Sequence, residues 1–143
     1  MPPREDAVGA RPIDLAVRAL RTRDRSAAEL DERLARRGVG DAEREQTLET
    51  LERIGYVDDE RFARTRAEQL AARGSGDALI RHDLESRGIA DEAVEDALAE
   101  LEPERERAAR IVTQRGRSVK TVRYLASRGF GDDALVGVVA RDE

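Results

Sequence analysis

Apolar residues recur along this chain three or four positions apart, in short runs separated by glycine-containing breaks. Leu30 and Leu34 share one helical face, as do Leu48, Leu51 and Ile54. Ile80 with Leu84, Val94 with Leu98 and Leu101, Val122 with Leu125 and Ala126, and Leu135 with Val138 and Val139 follow the same spacing. Three further stretches complete the pattern. One runs from about Ile13 to Leu20 with Val17 inward, and a second starts at Asp58 or Asp59 and carries Phe62, Ala63 and Leu70. The third has Pro103 as its first helical residue, followed by Ala108, Ile111 and Val112. No stretch alternates with the period of a strand. The pattern predicts an all-α protein of nine helices.

The breaks repeat. Leu34-Ala-Arg-Arg-Gly38-Val39-Gly-Asp41, Leu84-Glu-Ser-Arg-Gly88-Ile89-Ala-Asp91 and Leu125-Ala-Ser-Arg-Gly129-Phe130-Gly-Asp132 share the form Leu-x-x-Arg-Gly-apolar-small-Asp. A glycine just past a helix can adopt the left-handed conformation, and the apolar residue after it then packs on the leucine five positions back. The arginine stands at the C-cap, where a cation complements the helix dipole. The aspartate is expected to cap the next helix. Ser26-Ala-Ala-Glu29 reads as a capping box, and Ser118 opens a later helix.

This spacing predicts three tandem three-helix repeats, at residues 12–56, 57–102 and 103–143. They follow an N-terminal arm, residues 1–11, which lacks the apolar run of a signal peptide. Repeats of this kind stack on one another, so an elongated, curved helical body is expected.

Composition narrows the function. Charged residues make up 40% of the chain, aromatics 3%, and cysteine is absent, which excludes a disulfide framework and a thiolate zinc site. No apolar run approaches the roughly 20 residues of a membrane span, and a cytoplasmic protein is expected. The net charge of −5 argues against a general nucleic-acid coat. It is unevenly spread: residues 58–102 hold six basic and thirteen acidic side chains, whereas residues 103–143 hold nine basic and six acidic.

That asymmetry points to a contact surface in the third repeat. From Arg107 to Gly131 there is no acid, and the stretch contains Arg107, Arg110, Arg115, Arg117, Lys120, Arg123 and Arg128. Such a run suits phosphates or an acidic protein strip. A solvated face is the ordinary alternative in a chain whose basic residues are arginine but for Lys120. Arg33, Arg36 and Arg37 form a second candidate cluster, although Glu29 four residues before Arg33 offers an internal partner. Asp58-Asp59 reads as helix capping in preference to acid–base or metal chemistry. His82 is the only histidine and has no cysteine partner, and Gly38-x-Gly40 and Gly74-x-Gly76 read as turns because no phosphate-loop Lys-Ser/Thr follows. No catalytic residue, metal ligand or cofactor site is expected.

Several of these residues also carry a family likeness. Arg23-Asp-Arg25-Ser26 with Glu29-Leu30 and the first octet resembles the opening repeat of the RecX regulators. Gly55-Tyr56-Val57-Asp58-Asp59-Glu60-Arg61-Phe62-Ala63 is similar to the junction between that family's first two repeats, and the octets at Gly88 and Gly129 match its later helix ends. The likeness spans roughly residues 13 to 140. It implies a cytoplasmic, non-enzymatic modulator of the recombinase RecA in homologous recombination, DNA repair and the SOS response. Such a protein binds RecA–DNA filaments and mainly inhibits ATPase, recombinase and coprotease activity. Direct contact with single- or double-stranded DNA is open, and a monomer is expected. The other reading of the same residues is a helix-turn-helix-like DNA-binding module that works through the basic third repeat.

Overall fold

The computed structural model describes residues 11–140. The expected arm, residues 1–11, lies outside them apart from Arg11, and so do residues 141–143. Among the described residues there are nine α-helices and no strand. They are α1 Pro12–Thr22, α2 Ala27–Arg36, α3 Asp41–Arg53, α4 Asp59–Ala72, α5 Asp77–Ser86, α6 Asp91–Glu100, α7 Glu104–Arg115, α8 Val119–Ser127 and α9 Asp132–Ala140. The fold is an all-α repeat fold.

The octets end helices as their chemistry requires. Gly38, Gly88 and Gly129 have φ of 85°, 79° and 87°. Beyond each, the amide of Val39, Ile89 or Phe130 donates to the carbonyl of Leu34, Leu84 or Leu125 at 3.1–3.2 Å. The glycine amide donates to the carbonyl three residues back, Ala35, Glu85 or Ala126, at 3.0–3.1 Å. Two more ends share this geometry: Leu51 to Gly55-Tyr56, and Leu70 to Gly74-Ser75. Arg37, Arg87 and Arg128 stand at the C-caps as expected.

The helix starts differ in detail from expectation. Asp41, Asp91 and Asp132 are the first helical residues and not the caps; Gly40 and Ala90 hold the cap positions of α3 and α6, with no side-chain cap bond. The carboxylates therefore act on the dipole of the first turn. Pro103, expected as the first helical residue, is instead the N-cap of α7, so that helix begins one residue later than the spacing suggested. The Ser26–Glu29 capping box is complete, and Ser118 accepts from the Thr121 amide.

The chain forms two compact units that divide between Phe62 and Ala63. In the first, Ala16, Ala19, Leu30, Leu34, Leu51 and Val57 make the core, with Val17 only partly buried beside it. Ile54 is 54% exposed because it is the C-cap of α3, where the chain has already left helical register. Arg25 is buried, and its Nε donates to the Ala19 carbonyl that ends α1. The Asp59 carboxylate accepts from the Ala27 amide at 2.8 Å, so the first residue of α4 caps α2.

In the second unit α5 packs on α6, and α7 packs on α8 and α9. Ile80, Leu84 and Leu125 are fully buried, and Val112, Phe130 and Val138 join Leu125 in the core. Val139, expected inward, is 55% exposed. The Arg66 guanidinium grips Asp83 with two bonds of 3.0 Å and holds its carboxyl below the ordinary aspartate value, with help from Arg87. The end of α8 meets the start of α5 backbone to backbone: the Gly76 amide donates to the Arg128 carbonyl at 2.8 Å and the Ala78 amide to the Gly129 carbonyl at 3.1 Å.

That approach leaves no room for a Cβ. At Gly76 it would lie 2.4 Å from the Phe130 nitrogen, and at Gly129 2.7 Å from the Leu79 nitrogen, in a backbone conformation already hostile to other residues. At Gly40 a Cβ would meet nothing within 4 Å. Gly76→Ala and Gly129→Ala are each expected to cost at least about 2 kcal/mol in urea unfolding. Gly40→Ala is expected to cost no more than about 1 kcal/mol, the penalty of a poorer N-cap. Equal costs at all three positions would remove the close approach as a constraint.

Candidate functional site

The third stretch of the chain turns its basic residues to different tasks. Helix α7 opens with Glu104 and Glu106 in its first turn and ends at Gly116, whose φ is 90°. The short break Gly116-Arg117-Ser118 then leads into α8, which buries Thr121 and Leu125. With Thr121 and Leu125 inward, Lys120 and Arg123 fall on the outer face three residues apart, next to Val119, which is 66% exposed. Arg117 is exposed just before them. Lys120 and Arg123 form no hydrogen bond or ion pair among the described residues.

Arg107 has the opposite fate. It is 8% exposed, and its guanidinium donates to the carbonyls of Glu102 and Ser75 at 2.9 Å each and to the Asp77 carboxylate. The Phe130 ring lies 5.9 Å away. Beside it, Glu104 accepts from the amides of Asp77 and Gly131 and so caps α5 and α9 together. Burial pushes the Glu104 carboxyl above the ordinary glutamate value. Arg107 and Glu104 thus satisfy backbone groups that the tight α5–α8 approach buries.

Between these two extremes lies an open cleft of about 440 Å³. Ile111, Leu101 and Phe130 supply apolar lining; Arg73, Arg110 and Arg115 supply charge, with Glu68 and Glu102 among the lining residues. Arg110 is anchored on Glu102 at 2.7 Å. Arg115 lies 3.5 Å over the ring of Tyr124, a cation–π contact that fixes both side chains. An arginine held this way keeps its edge N–H groups for an anion. The structure therefore gathers Arg107, Arg110 and Arg115 at one cleft, and Lys120 and Arg123 on one face of α8.

Arg33 and Arg36 belong to the first unit, both exposed on α2, and Arg36 pairs with Glu32. Glu29, the expected partner of Arg33, closes the capping box and pairs with Arg23 at 3.4 Å. Asp58 and Asp59 do capping work: Asp58 accepts from the Arg61 amide, and Asp59 caps α2. His82 is exposed on α5. Among the described residues no group of three or more His, Cys, Asp or Glu could hold a metal ion. No helix there is long and apolar enough to cross a membrane. Sequence reasoning missed Arg73 and Tyr124. Arg73 had a signal, since Leu70-Ala-Ala-Arg73-Gly74 carries the first five positions of the octet. Tyr124 had none, because its partner Arg115 reaches it across a turn.

A family profile described as "RecX, second three-helix domain" matches residues 58–98. Over most of its length the chain is 34% identical to the "Regulatory protein RecX" of Halorhodospira halophila, covering 91% of this chain and 88% of that one. The chain belongs to the RecX family. The "Regulatory protein RecX" of Mycolicibacterium smegmatis is 33% identical over 89% of this chain and 77% of its own, and that of Thermus thermophilus is 37% identical over 86% of each. The crystal structure of RecX from Lactobacillus salivarius superposes with a TM-score of 0.79 over 96% of both chains at 18% identity. A second crystal structure of regulatory protein RecX gives 0.78 at 17% identity. These two share the fold. The RecX relatives are named as regulators.

The two fates of the basic residues differ in stability. Arg107→Ala is expected to destabilise by about 3 kcal/mol, since it strips partners from Asp77 and two buried carbonyls. Lys120→Ala and Arg123→Ala are expected to stay within about 0.5 kcal/mol. Urea unfolding of the three variants checks this; a mild Arg107→Ala would mean that the buried network is dispensable.

Proposed function

We propose that this RecX-family protein regulates the recombinase RecA in the cytoplasm by docking on RecA–DNA filaments, with no chemistry of its own. It restrains ATP hydrolysis, and with it recombinase and coprotease activity in DNA repair. The observation that carries this reading is the extent of the relationship: proteins named regulatory protein RecX align with 85–91% of the chain. In this reading the protein acts as a monomer, and each of the three-helix repeats at 12–56, 57–102 and 103–143 makes modest contacts with the filament. Multi-point docking of that kind needs no single deep pocket, because linked weak contacts add through effective concentration.

The surface that fits the role best is the outer face of α8 with the neighbouring cleft. Lys120 and Arg123 are exposed and have no partner among the described residues, and the exposed Arg115 is held over the Tyr124 ring. Arg107 contributes by supporting that surface from within. The same exposed cations favour a second reading, in which the third repeat binds DNA directly through its phosphates.

Substoichiometric protein is expected to suppress the DNA-dependent ATPase of RecA. Lys120→Glu with Arg123→Glu is expected to weaken that suppression about tenfold, as reversal of two contact charges does at an interface. The reading fails if equimolar wild-type protein leaves ATPase and strand exchange unchanged at low salt. Tight binding to free DNA without RecA, falling steeply with salt, would favour the second reading.

A further inference from the structure

Within the first unit, α1 and α2 enclose a small cleft of about 30 Å³, lined by Leu15, Arg18, Ala19, Arg33, Leu34 and Arg37. Three arginines line it, and no acid does. All three arginines are exposed, and among the described residues none of their side chains has a hydrogen bond or an ion pair. This is unusual on α2, which is rich in acids. Glu29 is turned to Arg23 and the Ser26 amide, Asp31 accepts from Arg44 at 2.9 Å, and Glu32 pairs with Arg36. Every acid of the helix has been assigned to another arginine, leaving Arg33 and Arg37 without one.

The arrangement works against the fold. Arg33 and Arg37 are like charges four apart on one helix, a destabilising spacing. The dipole at the end of α2 accounts for cations in its last turn. It does not account for the guanidinium that α1 adds from Arg18. The positive field reaches the neighbouring buried Arg25, whose pKa falls through burial first and then through Arg23 and Arg33.

We infer that the Arg18–Arg33–Arg37 cleft is a carboxylate-binding site that receives an acidic segment of a protein partner, with an apolar residue beside the acid. Guanidinium groups bind carboxylates edge-on through paired N–H donors, and three arginines lining one cleft suit one or two such groups. Leu15, which is only partly buried beside them, suits an apolar neighbour of the acid. A nucleic-acid backbone offers nothing to Leu15. It would also run past Asp14, Asp31 and Glu32 on the same two helices. For the identity of its partner, the site rests on the filament reading above; its chemistry does not.

The test uses the full chain and its Arg18→Gln, Arg33→Gln, Arg37→Gln triple variant, which keeps part of the side-chain length while removing the charge. Thermal melting is expected to give the variant an unchanged or higher midpoint, because self-repulsion is relieved. A fluorescein-labelled peptide of Glu-Glu-Leu repeats is expected to bind the wild type and to lose about tenfold in affinity for the variant. Co-sedimentation with RecA–single-strand filaments is expected to weaken by a similar factor, whereas binding of an oligo-dT strand is unchanged. Peptide binding that is absent from the wild type, or equal in both proteins, overturns the site. So does a loss confined to oligo-dT. Wild type that binds the peptide but not the filament leaves the site standing and sinks the filament reading.

Discussion

A glycine in the left-handed conformation, followed by an amide that reaches back to a leucine carbonyl, ends five of the nine helices among the described residues. This one arrangement does three things at once. It satisfies the carbonyls that a helix end would otherwise leave unpaired, it turns the chain sharply, and after Gly38, Gly88 and Gly129 it seats an apolar side chain near the helix just completed. Helices of nine to fourteen residues are marginal alone. They persist here because each is stopped at a defined point with its apolar stripe already facing the next.

The rest of the second unit depends on the same device. Gly129 supplies the turn, and because it has no Cβ its carbonyl comes within reach of the Ala78 amide. Gly76 makes the reciprocal approach. So close a contact buries polar backbone, and Arg107, Asp77 and Glu104 gather to satisfy it. In a chain 40% charged, most arginines are spent this way or in ion pairs. Lys120 and Arg123 on α8 and the three arginines around Leu34 are among the basic residues that have no such partner among the described residues.

How far the sequence could be read follows the range of the forces involved. Leu34, Leu84 and Leu125 were legible as buried helix-end residues because their partners lie within five positions. The Ser26–Glu29 box was legible for the same reason. Helix starts were displaced by one residue at Asp41 and Asp91, because a carboxylate in the first turn and one at the cap serve the dipole almost equally well. Ile54 and Val139 kept the helical period but lie where a helix is ending, so periodicity alone placed them inward. The fate of individual arginines was not legible. Arg107 sits in the same acid-free run as Lys120, yet its partners Ser75 and Asp77 are some thirty residues away. Arg18 carries no local mark; it joins Arg33 and Arg37 only through the packing of α1 on α2.

The dependence of the fold on glycine-ended helices can be read at single amides. Hydrogen exchange resolved by residue would follow the N–H groups of Val39, Ile89 and Phe130, each donated to a leucine carbonyl five positions back. The account predicts that these three exchange as slowly as the buried amides inside α2, α5 and α8, although they lie outside the helices. Exchange at the rate of a free loop at all three would contradict it.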